Sequence, residues 1–261
     1  MKYAILSDVH ANLEALTCVL ENAREQGVKR FICLGDLVGY NADPEACVDI
    51  IRDLGCPVVM GNHDAYTVAD EIPEIVNGRA RKSLEWTREN IRPDQHEWLT
   101  NLPMQRRVGP LEIVHASLHQ PEDWNYVLNA IEAILHFHFQ DTQVCFFGHT
   151  HHPMYFSTKE RKTHKNYKRI ELEPGERYLV NAGSVGQPRG DDKRAQYATY
   201  CTSEKVVEFH RVKYDVATTC EKIRAAGLPE HNALRLEKND LEAAAALKLI
   251  KGAQELADSL K

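Results

Sequence analysis

One pattern constrains the fold of this chain more than any other. Six times a short apolar run breaks off at once into small and polar residues. The places are SDVHAN (7–12), LGDLVGY (34–40), GNHD (61–64), IVHAS (113–117), GHTHHP (148–153) and NAGSVG (181–186). Runs this short and apolar read as buried strands. Between the first of them, Leu13, Leu16, Leu20 and Ala23 repeat at helical spacing with Asn12 placed as N-cap, and Pro44 to Leu54 reads as a helix capped by Asp43. With Tyr3–Leu6, Phe31–Leu34 and Val58–Met60 as strands, the opening is strand–helix–strand–helix–strand, which predicts parallel pairing through right-handed crossovers. Functional loops in such sheets lie beyond the carboxyl ends of the strands.

Those ends carry ligand chemistry. Asp8 and His10 stand at i and i+2, as do His149 and His151, so an extended chain puts each pair on one side. Gly35, Gly61 and Gly148 let the chain turn as it leaves the sheet. Taken singly, each residue has a plainer reading. Asp8 could cap a helix, Asp36 could close a turn, and His115 could be a satisfied buried histidine. Taken together, Asp8, His10, Asp36, Asn62, His115, His149 and His151 all fall where an α/β fold builds sites. Imidazole with carboxylate or amide oxygen, and no sulfur, suits Mn, Fe, Ni or Zn.

The rest of the chain reads as follows. A helical segment spans about 65–103, including Gly78 to Ile91 and Asp94 to Leu102. QRRV, LEIVH and QVCFFG are strands, with a helix near Val127 to His136. MYFST, RIELE, RYLVNA, QYATY and VVEFHRV form an antiparallel second half. Asp215 to Ala226 is helical, and a helical tail covers about 239–261. KERKTHKNYKR (159–169) is a basic hairpin or loop, solvated or phosphate-guiding. No internal repeat or low-complexity linker appears, so one domain over 1–261 is expected.

Charge and composition narrow the function. A formal net charge of −6 gives no general attraction to nucleic acid or to an anionic membrane, so an anionic substrate has to be drawn by local positive charge such as bound metal. With the first strand read from Lys2, no signal peptide is expected, and no apolar stretch reaches membrane-spanning length. The seven cysteines are odd in number, scattered, and form no CxxC, which reads as reduced buried thiols in a cytoplasmic protein.

DVH (8–10), GD (35–36), GNHD (61–64), His115 and GHTH (148–151), in this order over roughly residues 1 to 190, resemble the calcineurin-like metallophosphoesterases. GSVGQPR (183–189) looks like their small bacterial phosphodiesterase branch. The resemblance implies an α/β fold in which two mixed β-sheets pack as a sandwich flanked by helices, with two divalent metals between the strand ends. One metal would take Asp8, His10, Asp36 and His151, and the other Asp36, Asn62, His115 and His149, with Asp36 bridging. His152, beside these ligands, is expected to point away. Manganese is the first expectation for the cofactor. Four positive charges against the two of Asp8 and Asp36 leave a surplus for a phosphate. Paired metals activate a water and clamp an in-line displacement. His63 would stabilise the transition state or protonate the leaving oxygen as catalytic residue, with Asp64 a candidate to orient it. Asn12 and Arg189 could reach a phosphate.

The sequence also departs from the family. Ala11 and Ala116 stand where glycine is usual, and Gly39 and Tyr40 stand where protein phosphatases and symmetrical dinucleoside tetraphosphatases carry an arginine after GD. What remains is a small phosphorylated substrate, foremost a phosphodiester. The alternatives are a phosphomonoesterase or a nucleotide or protein phosphatase. A non-enzymatic scaffold of this fold usually lacks one or more ligands, all of which are present here, and a nuclease would show a stronger basic face. Tyr40, His119, Trp124 and Tyr126 could wall the pocket, or simply pack. The alanine-rich tail could pair two chains as a homo-oligomer.

Overall fold

The computed structural model describes residues 1–160, 163–165, 167–238 and 242–250. The chain opens with β1 (Lys2–Leu6), α1 (Leu13–Glu25), β2 (Arg30–Cys33) and α2 (Pro44–Asp53). Three helices follow: α3 (Asn62–Val68), α4 (Gly78–Glu89) and α5 (Pro93–Thr100). Next come β3 (Gln105–Val108), β4 (Leu111–Val114), α6 (Ala130–Phe139) and β5 (Val144–Phe147). The second half holds β6 (Met154–Ser157), β7 (His164–Lys165), β8 (Arg169–Glu171), β9 (Tyr178–Asn181), β10 (Ala195–Cys201) and β11 (Val206–Val212). Helices α7 (Val216–Ala225) and α8 (Glu230–Glu237) follow, and residues 242–250 are helical.

The strands form two mixed sheets, ordered β2-β1-β10-β11-β8 and β3-β4-β5-β9-β6-β7. Their apolar inner faces meet. Ile5, Ile32, Leu34, Ala198 and Tyr200 of the first pack with Ile113, Val144, Phe146 and Val180 of the second. The outer face of the first sheet is covered by α1 and α2, through Leu16, Val19, Leu20, Val48 and Ile51. On the second sheet, Ala133 and Phe137 of α6 cover Cys145, Phe147 and Leu179. Strands buried on both faces lose the alternating pattern and become continuous apolar runs, which is why VCFF and YLVN read as they do. This is the expected sandwich flanked by helices.

Three expectations shift. Val58 to Met60 is not a strand but a single parallel bridge from Val58 to Cys33. The Met60 N–H donates to the Pro103 carbonyl, which draws the chain off the sheet before the turn at Gly61. RYLVNA is not purely antiparallel: β9 runs parallel to β5 and antiparallel to β6. That parallel placement brings the carboxyl ends of β5 and β9 to the same edge. The helix expected near Val127 begins later, because Asn129 caps it by accepting from the Ile131 and Glu132 N–H groups.

Within the basic segment, Lys159 pairs with Glu173 and Glu176, and Arg169 with Glu171 and Glu208; residues 161, 162 and 166 lie outside the described residues. The tail expected over 239–261 is helical at 242–250, and its remainder falls outside the described residues. All seven cysteines are free thiols. Among the described residues no helix is long and apolar enough to cross a membrane.

Candidate metal centre

The strand-end loops converge at one edge of the sandwich. Asp8 and His10 leave β1, Asp36 leaves β2, His115 leaves β4, and His149 and His151 leave β5, while Asn62 opens α3. All seven are buried. One donor atom each from Asp8, His10, Asp36 and His151 lies within 4.8 Å of the others, and the same holds for Asp36, His115 and His149. The Asn62 Oδ1 joins the second group, 3.2 Å from His115 Nε2. Asp36 is common to both: its Oδ2 is 3.5 Å from His10 Nε2 and 3.4 Å from His115 Nε2.

The backbone is bent to make this convergence. Asp8, His10, Asp36, His149 and His151 have φ of 53, 48, 53, 64 and 59°, in the left-handed region. That region disfavours residues with a Cβ by about 1–2 kcal/mol each, and such strain gathers at functional sites. Ala11, standing where the family has glycine, also takes φ 53°, so the loop keeps its shape at a conformational cost. Ala116 is not among the positive-φ residues and needs no glycine. Gly39 is required for another reason: a Cβ there would run into the Nδ1 of His63.

Five of the donors are oriented by partners behind them. His10 Nδ1 donates to the Val38 carbonyl at 3.0 Å, His115 Nδ1 to Leu34 at 2.7 Å and His151 Nδ1 to Gln187 at 2.7 Å. A carbonyl only accepts, so Nδ1 carries the proton and Nε2 faces the centre. The carboxylates divide their oxygens in the same way. Oδ2 of Asp8 accepts from the Ser7 hydroxyl and the His149 N–H, which leaves Oδ1 facing inward. Oδ1 of Asp36 accepts from the His63 N–H at 2.7 Å, which leaves Oδ2.

Two of the inward atoms lack hydrogen-bond partners. Asp8 Oδ1 and His149 Nε2 are buried without a hydrogen-bond partner. Burial, first of all, holds His10 and His151 well below the usual histidine range, so both are neutral. Their Nε2 lone pairs therefore face each other across 3.2 Å. An arrangement of buried lone pairs with no proton between them is repulsive unless a cation lies there. The donor set fits divalent metal. Burial raises Asp8 to about 7. Burial alone would lower His115, but Asp36 and Asp8 outweigh it and push it up to about 9. Asp36 stays well below the usual carboxylate range: burial opposes this, and His115 and His63 overcome it.

A cleft of about 600 Å³ opens over this centre, lined by Tyr40, Tyr66, Trp124, Tyr126 and Arg189 among others. Tyr126 stacks on His149 with ring centroids 4.1 Å apart, and Tyr40 lies 4.4 Å from His63 and 4.7 Å from His10. Tyr66 was not anticipated from sequence; its helical position gave no aromatic-wall signal. His119 does not join the wall, because it packs on Phe139. Arg189 hydrogen-bonds Tyr40, and its Nη1 has no partner. A cation thus reaches the site from the loop before β10, although none follows GD in sequence.

Two expectations change in detail. Asp64 does not orient the His63 ring. Its carboxylate accepts four backbone N–H groups, from Asp36, Leu37, Val38 and Gly61, and so ties the Asp36 loop to the start of α3. Nor does Asn12 turn to the cleft, since its side chain caps α1 through the Ala15 N–H and donates to the Gly186 carbonyl.

Fold and site together define a metallophosphoesterase. Residues 1–205 match the model of the calcineurin-like phosphoesterase superfamily domain, and the chain belongs to that family. It is similar to an uncharacterized protein of Methanocaldococcus jannaschii, 35% identical over 232 residues that make up 87% of this chain and 93% of that one. Among solved structures, it resembles a metallophosphoesterase from Sphaerobacter thermophilus at 38% identity and a TM-score of 0.83, over 91% of this chain and 98% of that one. A hypothetical protein from Pyrococcus horikoshii shares the fold, with 19% identity and a TM-score of 0.75 over 90% and 97% of the two chains. The protein is a metal-dependent phosphoesterase, a hydrolase.

Proposed function

We propose that the protein hydrolyses phosphodiester bonds in a small substrate, with two divalent ions, manganese foremost, shared across Asp36. Asp8, His10, Asp36 and His151 would hold one ion, and Asp36, Asn62, His115 and His149 the other. The ions would supply a water made acidic enough to attack at neutral pH, and charge to offset the phosphate. The observation that carries the reading is the set of buried lone pairs without donors, with Asp36 Oδ2 standing between two groups of imidazoles.

The protein's own groups divide the remaining work. Arg189 presents a cation to the phosphate. The aromatic walls on several sides of the cleft give room for groups on both sides of phosphorus. His63 lines the cleft with Nδ1 turned to Gly39, so Nε2 is the nitrogen that serves the leaving oxygen. Burial lowers the His63 imidazole below the usual range, despite the pull of Asp36.

The test is metal-stripped protein reloaded with Mn²⁺. Two equivalents should bind per chain by elemental analysis, and bis(nitrophenyl) phosphate should be cleaved with a higher kcat/KM than nitrophenyl phosphate. A single equivalent at full activity, or a clear preference for the monoester, would overturn the reading.

A further inference from the structure

A second cavity, about 680 Å³, adjoins the cleft and shares Tyr40, Asn77, Ala80 and Arg235 with it. Among the described residues its lining holds Arg79, Arg235 and Lys248 and no carboxylate, in a chain of net charge −6. The wall between the two cavities is fixed. Asn232, buried on α8, donates from Nδ2 to the Tyr40 carbonyl at 2.7 Å and to the Ser83 hydroxyl of α4 at 3.0 Å. The groove is also assembled from parts the family domain does not supply. That domain ends at residue 205, whereas His231, Arg235 and Lys248 come from α8 and the helical residues 242–250. A cation-lined groove that adjoins a phosphoesterase cleft has the chemistry to hold phosphate.

We infer that this groove is a second subsite that receives a further phosphate carried by one arm of the substrate. The substrate is then a nucleotide-like diester bearing a second phosphate, with the scissile phosphate at the metal centre. The inference rests on the function proposed above only for the location of the scissile phosphate. Arg79 and Lys248 are both exposed at the groove and supply the charge that recognises the second phosphate.

The experiment pairs ligands that differ only in that group. Binding of thymidine 5′-phosphate and thymidine 3′,5′-bisphosphate to the Mn²⁺-loaded protein is measured by calorimetry at low salt. The nitrophenyl 5′-esters of the same two compounds are then assayed for turnover. A charge-assisted hydrogen bond contributes ~1.5–3 kcal/mol, so the bisphosphate should bind at least about tenfold tighter. That ratio should fall to about one in the double variant Arg79→Gln, Lys248→Gln, and should shrink as salt is added. Equal binding of the two ligands, or a ratio unchanged in the double variant, overturns the subsite. Absence of turnover with both esters instead removes the diesterase reading, and the binding ratio still decides the subsite.

Discussion

The division of labour at single residues is the most exposed part of the proposal. Among the described residues, Asp36 is the one side chain common to both groups of donors. Asp36→Asn should therefore lose metal from both sites and most turnover. His10→Ala should lose one equivalent and recover part of its rate with excess Mn²⁺. Retention of two equivalents by Asp36→Asn would show that the bridge is misassigned. His63 makes a different prediction. A positioned general acid contributes ~10²–10⁴-fold, but a nitrophenolate leaves unaided, whereas an alkoxide does not. His63→Ala should keep both metals and much of its activity on nitrophenyl esters, and lose most activity on nucleoside esters. Because burial lowers this imidazole, its protonated form is already disappearing as pH rises toward 6.5. For substrates with alkoxide leaving groups, wild-type kcat/KM should thus fall with rising pH on the acid side of neutrality, and the variant should lose that limb. Equal losses on both substrate classes would mean that His63 stabilises charge without giving up a proton. Gly39→Ala, whose Cβ would collide with Nδ1 of His63, should reproduce the selective loss.

At the scale of elements, the centre depends on how loops are fastened to one another. Asp64 is the main fastener between the β2 loop and α3. Its two oxygens accept N–H groups at 2.8, 2.8, 3.0 and 3.4 Å, and the side chain is wholly buried. Asp64→Ala would leave four buried donors without their acceptor. A buried donor left without its acceptor costs about 1–3 kcal/mol. Urea denaturation should show that loss, and metal affinity should fall with it, since Asp36 and Asn62 would lose their fixed relation. A stable variant with unchanged metal affinity would show that the β2 loop holds its shape by other means. Asn181 and Ser184 do similar work from β9 and the loop after it, through the Gly148 carbonyl at 2.6 Å and the Asp8 carbonyl at 2.9 Å.

The whole molecule is held in readiness for metal at the expense of its own proton balance. Without metal, Asp8 is raised to about 7 and His115 to about 9, so near neutrality both hold protons that ligands must shed. Affinity for Mn²⁺ should rise with pH from about 7 to 9. Calorimetry in buffers of different ionisation enthalpy should report net proton release at pH 7, and binding without release would contradict the assignment of these two ligands. His136 works in the other direction, on stability. It sits on the buried face of α6, accepts the Leu118 N–H at 3.1 Å, and is depressed to about 3 by burial. Its folded value lies below the unfolded one near 6.5, so its contribution is complete above about pH 6.5 and declines as pH falls. The decline is at most about 1.4 kcal/mol per pH unit. Denaturation midpoints at pH 7 and 5 should differ in that sense, and less so in His136→Leu.

The sequence by itself determined the element types and the chemistry at their ends. Short apolar runs, helical spacing in Leu13 to Ala23, and turn glycines are local signals, and burial on both faces writes β5 and β9 as unbroken apolar runs. The residues that gather at the candidate centre were legible for the same reason, because a strand end is a local address. What only the tertiary structure decided is who meets whom. His10 and His151 are 141 residues apart and face each other at 3.2 Å because β5 and β1 lie in opposing sheets whose edges coincide. Val58 fails as a strand because Pro103 draws Met60 away, a partner no local window contains. Asp64 binds four amides and not His63, since the loop it ties folds back onto it. Arg189 restores a cation where the chain after GD offers only Gly39 and Tyr40, because a loop far along the sequence returns to the same edge. Propensity and periodicity act over a few residues, whereas packing and register are long-range. The pattern could therefore name the candidate ligands, but only the fold could place the residues that position them.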